Sequence, residues 1–138
     1  MTISPLSPVV RDDASAEFFD ATARGVLLLR RCLACNHIRG PEIPMCTDCL
    51  SEAFEWISAA GTGQIESWVV MHAKPSPDAS SPGPRIVVTV ELAEGPWMTS
   101  ALTGIDADGV TGGMRVVVAF ERPDDSEAIP VFRPAPDR

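Results

Sequence analysis

The sequence lacks most of the devices by which a small protein does chemistry unaided. It contains no GxSxG elbow for a nucleophilic serine. The paired glycines Gly61 and Gly63, or Gly112 and Gly113, stand outside the strand-to-helix context that makes a phosphate-cradling loop. Only His37 and His72 offer imidazoles, and His72, before a proline-rich stretch, reads either as a site-facing base or as a structurally bonded histidine. No run approaches the roughly 18 apolar residues of a membrane span; Ile86 to Val90 is strand-sized. Met1 to Val10 has neither the positive start nor the long apolar core of a secretory leader, so a cytoplasmic, reducing compartment is expected. Eleven basic against nineteen acidic residues give a net charge of -8, which disfavours nucleic acid as a partner because the phosphate backbone demands a basic surface.

What is present is a pair of CxxC turns, Cys32-Leu-Ala-Cys35 and Cys46-Thr-Asp-Cys49, which use all four cysteines of the chain. Each turn puts two sulfurs on one side of a tight loop, and two turns supply the tetrahedral four-sulfur set that zinc prefers. Gly40, Pro41 and Pro44, between the pairs, suit a hairpin that returns the second turn beside the first. The pattern predicts a zinc ribbon with Cys32, Cys35, Cys46 and Cys49 as ligands. Iron has the same geometry, and spacing does not separate the two metals. Disulfides would need an oxidising compartment. Four thiolates close the coordination shell, so the expected Zn2+ is structural, and His37 is read as a neighbour of the site rather than a ligand.

Along the chain, residues 1 to 11 carry Pro5 and Pro8 among small residues and read as an extended or disordered arm. Asp12, Asp13 and Ser15 offer caps for a helix running to about Arg24, with Gly25 as its stop. The helix is short enough that Phe18 and Phe19 must dock on something. Val26 to Leu29 leads into the first cysteine pair as a buried strand, and Ile38 to Ile43 leads out of it. Beyond Cys49, strands are expected at Phe54 to Ala60, Gln64 to His72, Arg85 to Leu92, Trp97 to Thr103 and Arg115 to Glu121, with a break or bulge at Gly61 to Gly63. Five short strands with glycine breaks fit a small, partly open barrel of the OB type. Lys74 to Pro84 reads as a mobile loop, and Ile129 to Pro134 as an apolar tail lying on the body or on a neighbour. The expected fold is mainly β, with an arm and helix over residues 1–25, a ribbon over 26–52 and a barrel with its tail over 53–138.

Two features invite a ligand. Arg24, Arg30, Arg31 and Arg39 place four of the eleven basic residues around the ribbon. They form either a solvated face that balances the acidic remainder or an anchor for a phosphorylated tail. Trp56, Trp68 and Trp97 fall on expected strands, where packing or a protein interface suits them better than base stacking in so acidic a chain. On its residues the chain reads as a binding or scaffolding module rather than a self-sufficient enzyme.

The order of blocks is specific: Phe18-Phe19, Gly25-Val26-Leu27-Leu28-Leu29-Arg30-Arg31-Cys32, Pro41-Glu42-Ile43-Pro44-Met45-Cys46, Gly61-Thr62-Gly63-Gln64-Ile65, Gly113-Met114-Arg115-Val116-Val117-Val118 and Val131-Phe132-Arg133-Pro134. From about residue 13 to 135 the chain resembles a bacterial and archaeal family of small acyl-CoA-associated proteins with an N-terminal helix, a rubredoxin-like zinc ribbon and an OB fold. The resemblance implies a non-catalytic accessory subunit of a thiolase-superfamily enzyme in a hetero-oligomer. Such an assembly makes or breaks carbon–carbon bonds in acyl-CoA thioesters, including thiolytic, acetyl-transfer and retro-aldol steps of steroid side-chain breakdown. The small subunit would stabilise its partner and help shape the acyl-CoA path, for which Phe18, Phe19, Arg30 and Arg31 are the candidates. The competing readings are a free-standing acyl-CoA binding protein, a nucleic-acid-binding OB module and an autonomous hydrolase.

Overall fold

The computed structural model describes residues 9–72 and 84–136; the expectations for arm residues 1–8 and loop residues 74–83 fall outside them. The chain opens on one short helix, α1 (Ala16–Thr22). It starts just past Ser15, one of the expected caps, which serves the helix through its carbonyl, accepting from Phe19 N at 3.0 Å, and not through its hydroxyl. Ser15 Oγ donates to the Asp12 carboxylate at 2.7 Å and accepts from the Asp12 amide at 3.0 Å, closing a turn ahead of the helix. At the other end Val26 N donates to Ala21 O and Gly25 N to Thr22 O, at 3.0 and 2.9 Å. That pair of bonds needs a left-handed residue just past the helix, and Gly25 supplies it at φ 79°.

Two sheets follow. The first is formed by β1 (Leu28–Cys32), β2 (Ile38–Arg39) and β3 (Phe54–Ser58), in the order β2-β1-β3 and antiparallel throughout. Here the structure corrects the reading of the strands. Phe54–Ser58 is not the first strand of the barrel: it lies along β1, with Cys32 opposite Phe54 and Arg30 opposite Trp56. Periodicity marks a strand but not its neighbour, and this one is held by the ribbon.

The second sheet closes into a barrel from β4 (Thr62–Met71), β5 (Arg85–Leu92), β6 (Trp97–Leu102), β7 (Arg115–Glu121) and β8 (Ile129–Pro134), in the order β4-β5-β6-β8-β7. That is the five-strand Greek-key order of an OB fold. The tail is therefore the fifth strand, with Phe132 facing Val118 of β7 across an antiparallel pair and Leu102 of β6 across the barrel's parallel joint. The bulge in β4 lies between Ile65 and Ser67, beyond the glycines expected to make it. Gly63 has another duty. A Cβ there would stand 2.5 Å from the Glu91 carbonyl oxygen, so only glycine lets β4 pass this close to β5.

On β5, Ile86, Val88, Val90 and Leu92 all face inward, as their alternation predicts. They join Ile65, Val116 and Phe132 in one cluster that also contains Phe18, Ala21, Leu27, Leu28 and Leu29. Helix, ribbon and barrel thus share a single core. Each of the larger side chains, Ala21 apart, contributes on the order of 1.5–3 kcal/mol by its burial.

Two surface features matter below. In the described part of the arm, Val9 N donates to Ser126 Oγ and Glu127 N to Val9 O, both at 2.9 Å, and Arg11 grips Glu127 and Asp20 together. The described part of the arm is docked. On the far side, β4 pairs with β7 only over Thr62–Gln64, so its outer half has no second neighbour among the described residues. Trp68, Val69 and Met71 are exposed on that half.

Candidate metal centre and adjoining groove

The two cysteine turns fold alike. In the first, Asn36 N donates to Cys32 O and Cys32 N to His37 O, at 2.9 and 2.8 Å. In the second, Leu50 N donates to Cys46 O and Cys46 N to Ser51 O, both at 2.9 Å. The fifth residue of each is left-handed, Asn36 at φ 66° and Leu50 at φ 67°. All four sulfurs lie within 4.8 Å of one another, with Cys32–Cys49 and Cys35–Cys46 at 3.6 Å. A tetrahedron with metal–sulfur bonds of about 2.3 Å has edges of about 3.8 Å, so the spacing fits a four-coordinate ion. All four cysteines are free, at distances far beyond the roughly 2.05 Å of a disulfide.

Backbone amides prepare two of the thiols for a metal. The Cys35 amide, donating to Cys32 Sγ, draws that thiol down to about 6, and the Cys49 amide lowers Cys46 in the same way. Cys35 and Cys49 receive amides from His37 and Ser51, but burial and the neighbouring thiols outweigh them, and Cys35 rises to about 12. Cys32, Cys35, Cys46 and Cys49 would hold a soft divalent cation, which would take the place of the protons they share. His37 joins the two turns, with Nδ1 3.2 Å from an Asp48 carboxylate oxygen of the other turn.

Beside the ribbon lies a groove of about 400 Å³, walled chiefly by Phe18, Phe19, Arg30, Trp56, Met98 and Pro130. It brings together three of the four residues proposed from sequence for a substrate path. Arg31 is not among its lining residues: neighbours on a strand point to opposite faces, and Arg31 pairs instead with Glu55. Arg30 stacks over Phe54 at 4.3 Å and Trp56 at 5.0 Å, and its Nε donates to Pro41 O at 2.7 Å. Burial, and then the nearby Arg39, push its pKa below the usual guanidinium range. Arg24 caps the helix through Asp20 O at 3.1 Å and lies outside the groove. Met98 was not singled out from the sequence, and Trp56 was read there as a packing or interface residue, not as a wall of this groove. For Trp56 the missing signal was the β1–β3 register, which sets it opposite Arg30.

A helix, a four-cysteine ribbon and a five-strand OB barrel with one core define a class of small ribbon-and-OB-fold protein. The chain belongs to the ChsH2 family: the family model described as the ChsH2 rubredoxin-like zinc ribbon domain matches residues 19–55, and that of the ChsH2 C-terminal OB-fold domain matches residues 56–121. It is 38% identical over 133 residues to a Thermomonospora curvata protein named as a probable enoyl-CoA hydratase alpha subunit, covering 96% of this chain and 40% of that one. Identity to the 3-oxo-4,17-pregnadiene-20-carboxyl-CoA hydratase alpha subunit of Mycobacterium tuberculosis is 32%, over 77% of this chain and 33% of that one. A Methanocaldococcus jannaschii DUF35 domain-containing scaffold protein is 29% identical over 67% of this chain and 65% of its own length. The chain therefore spans less than half of the two hydratase subunits. Among solved structures, a chain of the Ltp2-ChsH2(DUF35) aldolase superposes with TM-score 0.76 at 38% identity, over 93% of this chain and 98% of that one. A Sulfolobus solfataricus DUF35 protein, at TM-score 0.63 and 12% identity, shares the fold. Among the described residues no helix is long and apolar enough to cross a membrane.

Proposed function

We propose that this chain is the non-catalytic subunit of a thiolase-superfamily enzyme that makes or breaks carbon–carbon bonds in acyl-CoA thioesters, retro-aldol or thiolytic cleavage in steroid or lipid side-chain breakdown being the reaction class. The observation that carries the reading is the likeness, over 93% of this chain and 98% of that one, to a chain of the Ltp2-ChsH2(DUF35) aldolase. In this reading Cys32, Cys35, Cys46 and Cys49 hold a structural Zn2+. Its closed shell supplies no chemistry, only the fixed relation of the two turns. Phe18, Phe19 and Arg30 border the acyl-CoA path at the interface with the partner.

Charge decides which part of the thioester the groove suits. Asp12 and Glu42 line it beside Arg30, so it repels the phosphates of the CoA nucleotide and suits the apolar acyl end, with Arg30 as donor to a carbonyl. Four cysteines in a metal set and the absence of a nucleophile motif leave the bond chemistry to the partner.

Affinity purification of the tagged chain from native extract, with mass spectrometry of what accompanies it and metal analysis of the same sample, tests this. The expected result is a stoichiometric thiolase-like partner and one zinc per chain. A zinc-loaded chain recovered alone that binds acyl-CoA would replace the subunit reading with that of a free acyl-CoA binder, which the groove on this single chain favours.

A further inference from the structure

Arg39 is 3% exposed and has no carboxylate partner among the described residues. A buried cation without a counter-charge is expensive, and a neutral residue would normally take such a place. What Arg39 does with its donors is specific. Its Nε donates to Ile43 O at 2.8 Å and its Nη2 to Pro44 O at 3.4 Å, while Nη1 is buried without an acceptor. Arg30, its register partner across β1 and β2, donates to Pro41 O at 2.7 Å. The two guanidiniums share Phe54, at 4.3 and 5.6 Å from its ring centroid.

All three accepting carbonyls belong to the segment from Pro41 to Pro44, which delivers Cys46. That segment is poor in ways to hold itself. Two of its four residues are prolines without an N–H, and Ile43 N to Gly40 O, at 3.2 Å, is its backbone bond. The first cysteine turn needs no such help, because Cys32 is the last residue of β1. The second turn stands outside the sheet.

We propose that Arg39, seconded by Arg30, is the positioning residue of the second cysteine turn: it fixes the Pro41–Pro44 segment so that Cys46 and Cys49 face Cys32 and Cys35 before an ion arrives, and slows the ion's departure. The inference rests on the reading that these cysteines hold a metal. Arg39→Gln removes the charge and the fork, Arg39→Lys keeps the charge with a single point donor, and Arg31→Ala, on the opposite face, is the control.

The experiment uses the full chain, with its partner if one co-purifies. It follows the rate of zinc transfer to a chromophoric chelator and the visible ligand-field bands of the cobalt(II)-substituted protein. Groups that orient a metal's ligands change its affinity by about 10- to 100-fold, and the lower end is expected for one that acts through the backbone leading to Cys46. Arg39→Gln is expected to lose zinc at least about tenfold faster, with shifted cobalt bands; Arg39→Lys should fall between, and Arg31→Ala should match the wild type. Equal release rates and an unchanged cobalt spectrum in Arg39→Gln would overturn the inference. Should Arg39→Gln not fold, Arg30→Gln decides: it loses one carbonyl contact and is expected to release zinc a few times faster, whereas wild-type release overturns the proposal. A wild-type chain purified without metal and unable to take up cobalt would instead remove the metal reading itself.

Discussion

Leu50 occupies the same left-handed position in the second cysteine turn that Asn36 occupies in the first, yet it is 69% exposed and packs against little. A non-glycine residue without a short polar side chain is strained there by about 1 kcal/mol. Leu50→Asn is therefore expected to stabilise the chain by about 0.5–1 kcal/mol, read as a higher urea midpoint at fixed zinc. The residue scale is also where the sequence was most and least informative. The cysteines were legible because their chemistry and spacing alone select a soft cation. The choice between Arg30 and Arg31 was not, since it depends on which face β1 turns to α1, and nothing local to Arg30-Arg31 carries that. Nor was Arg39: its burial follows from pairing with Arg30, which only the folded hairpin creates.

At the scale of elements, the arm is fastened to α1 and to the segment before β8 through Arg11, which bonds Glu127 with Nε and Nη2 and Asp20 with Nη1. Hydrogen bonds from this guanidinium hold the Glu127 carboxyl below its usual range, and the same contacts raise Arg11. A depressed carboxylate stabilises the fold above its unfolded pKa, about 4.3 for glutamate, and loses that effect as pH falls through the lower folded value. Wild type should therefore lose melting temperature below about pH 4.3 more steeply than Glu127→Gln. A variant that tracks the wild type across that window would show that the contact does not form in solution. Strand β5 was readable from alternation. Strand β8 was disguised: Pro130 and Pro134 argue against a strand, yet both pair with β7, opposite Phe120 and Val116. The misplacement of β3 has the same root, because a period of two reports faces and is silent on neighbours.

At the scale of the whole molecule, Phe132 of β8 and Leu29 of β1 belong to one core and are both fully buried, which ties the cysteine-bearing half to the barrel. Unfolding should then be one event: in guanidinium, zinc release and loss of barrel circular dichroism are expected at the same midpoint. Phe132→Ala, which costs about 3–5 kcal/mol, should move both midpoints together although Phe132 lies in the other sheet from the cysteines. Two separate transitions would show that the ribbon and barrel fold independently. The open outer half of β4 has a consequence for handling the protein. Ser67 to Met71 bears no charge, and Trp68, Val69 and Met71 are exposed on a strand edge that has no second neighbour among the described residues. Such a rim is adhesive in the colloidal sense. Solutions of the purified chain should scatter more light as they are concentrated, and Val69→Lys should keep them clear at the same concentration without lowering the melting temperature.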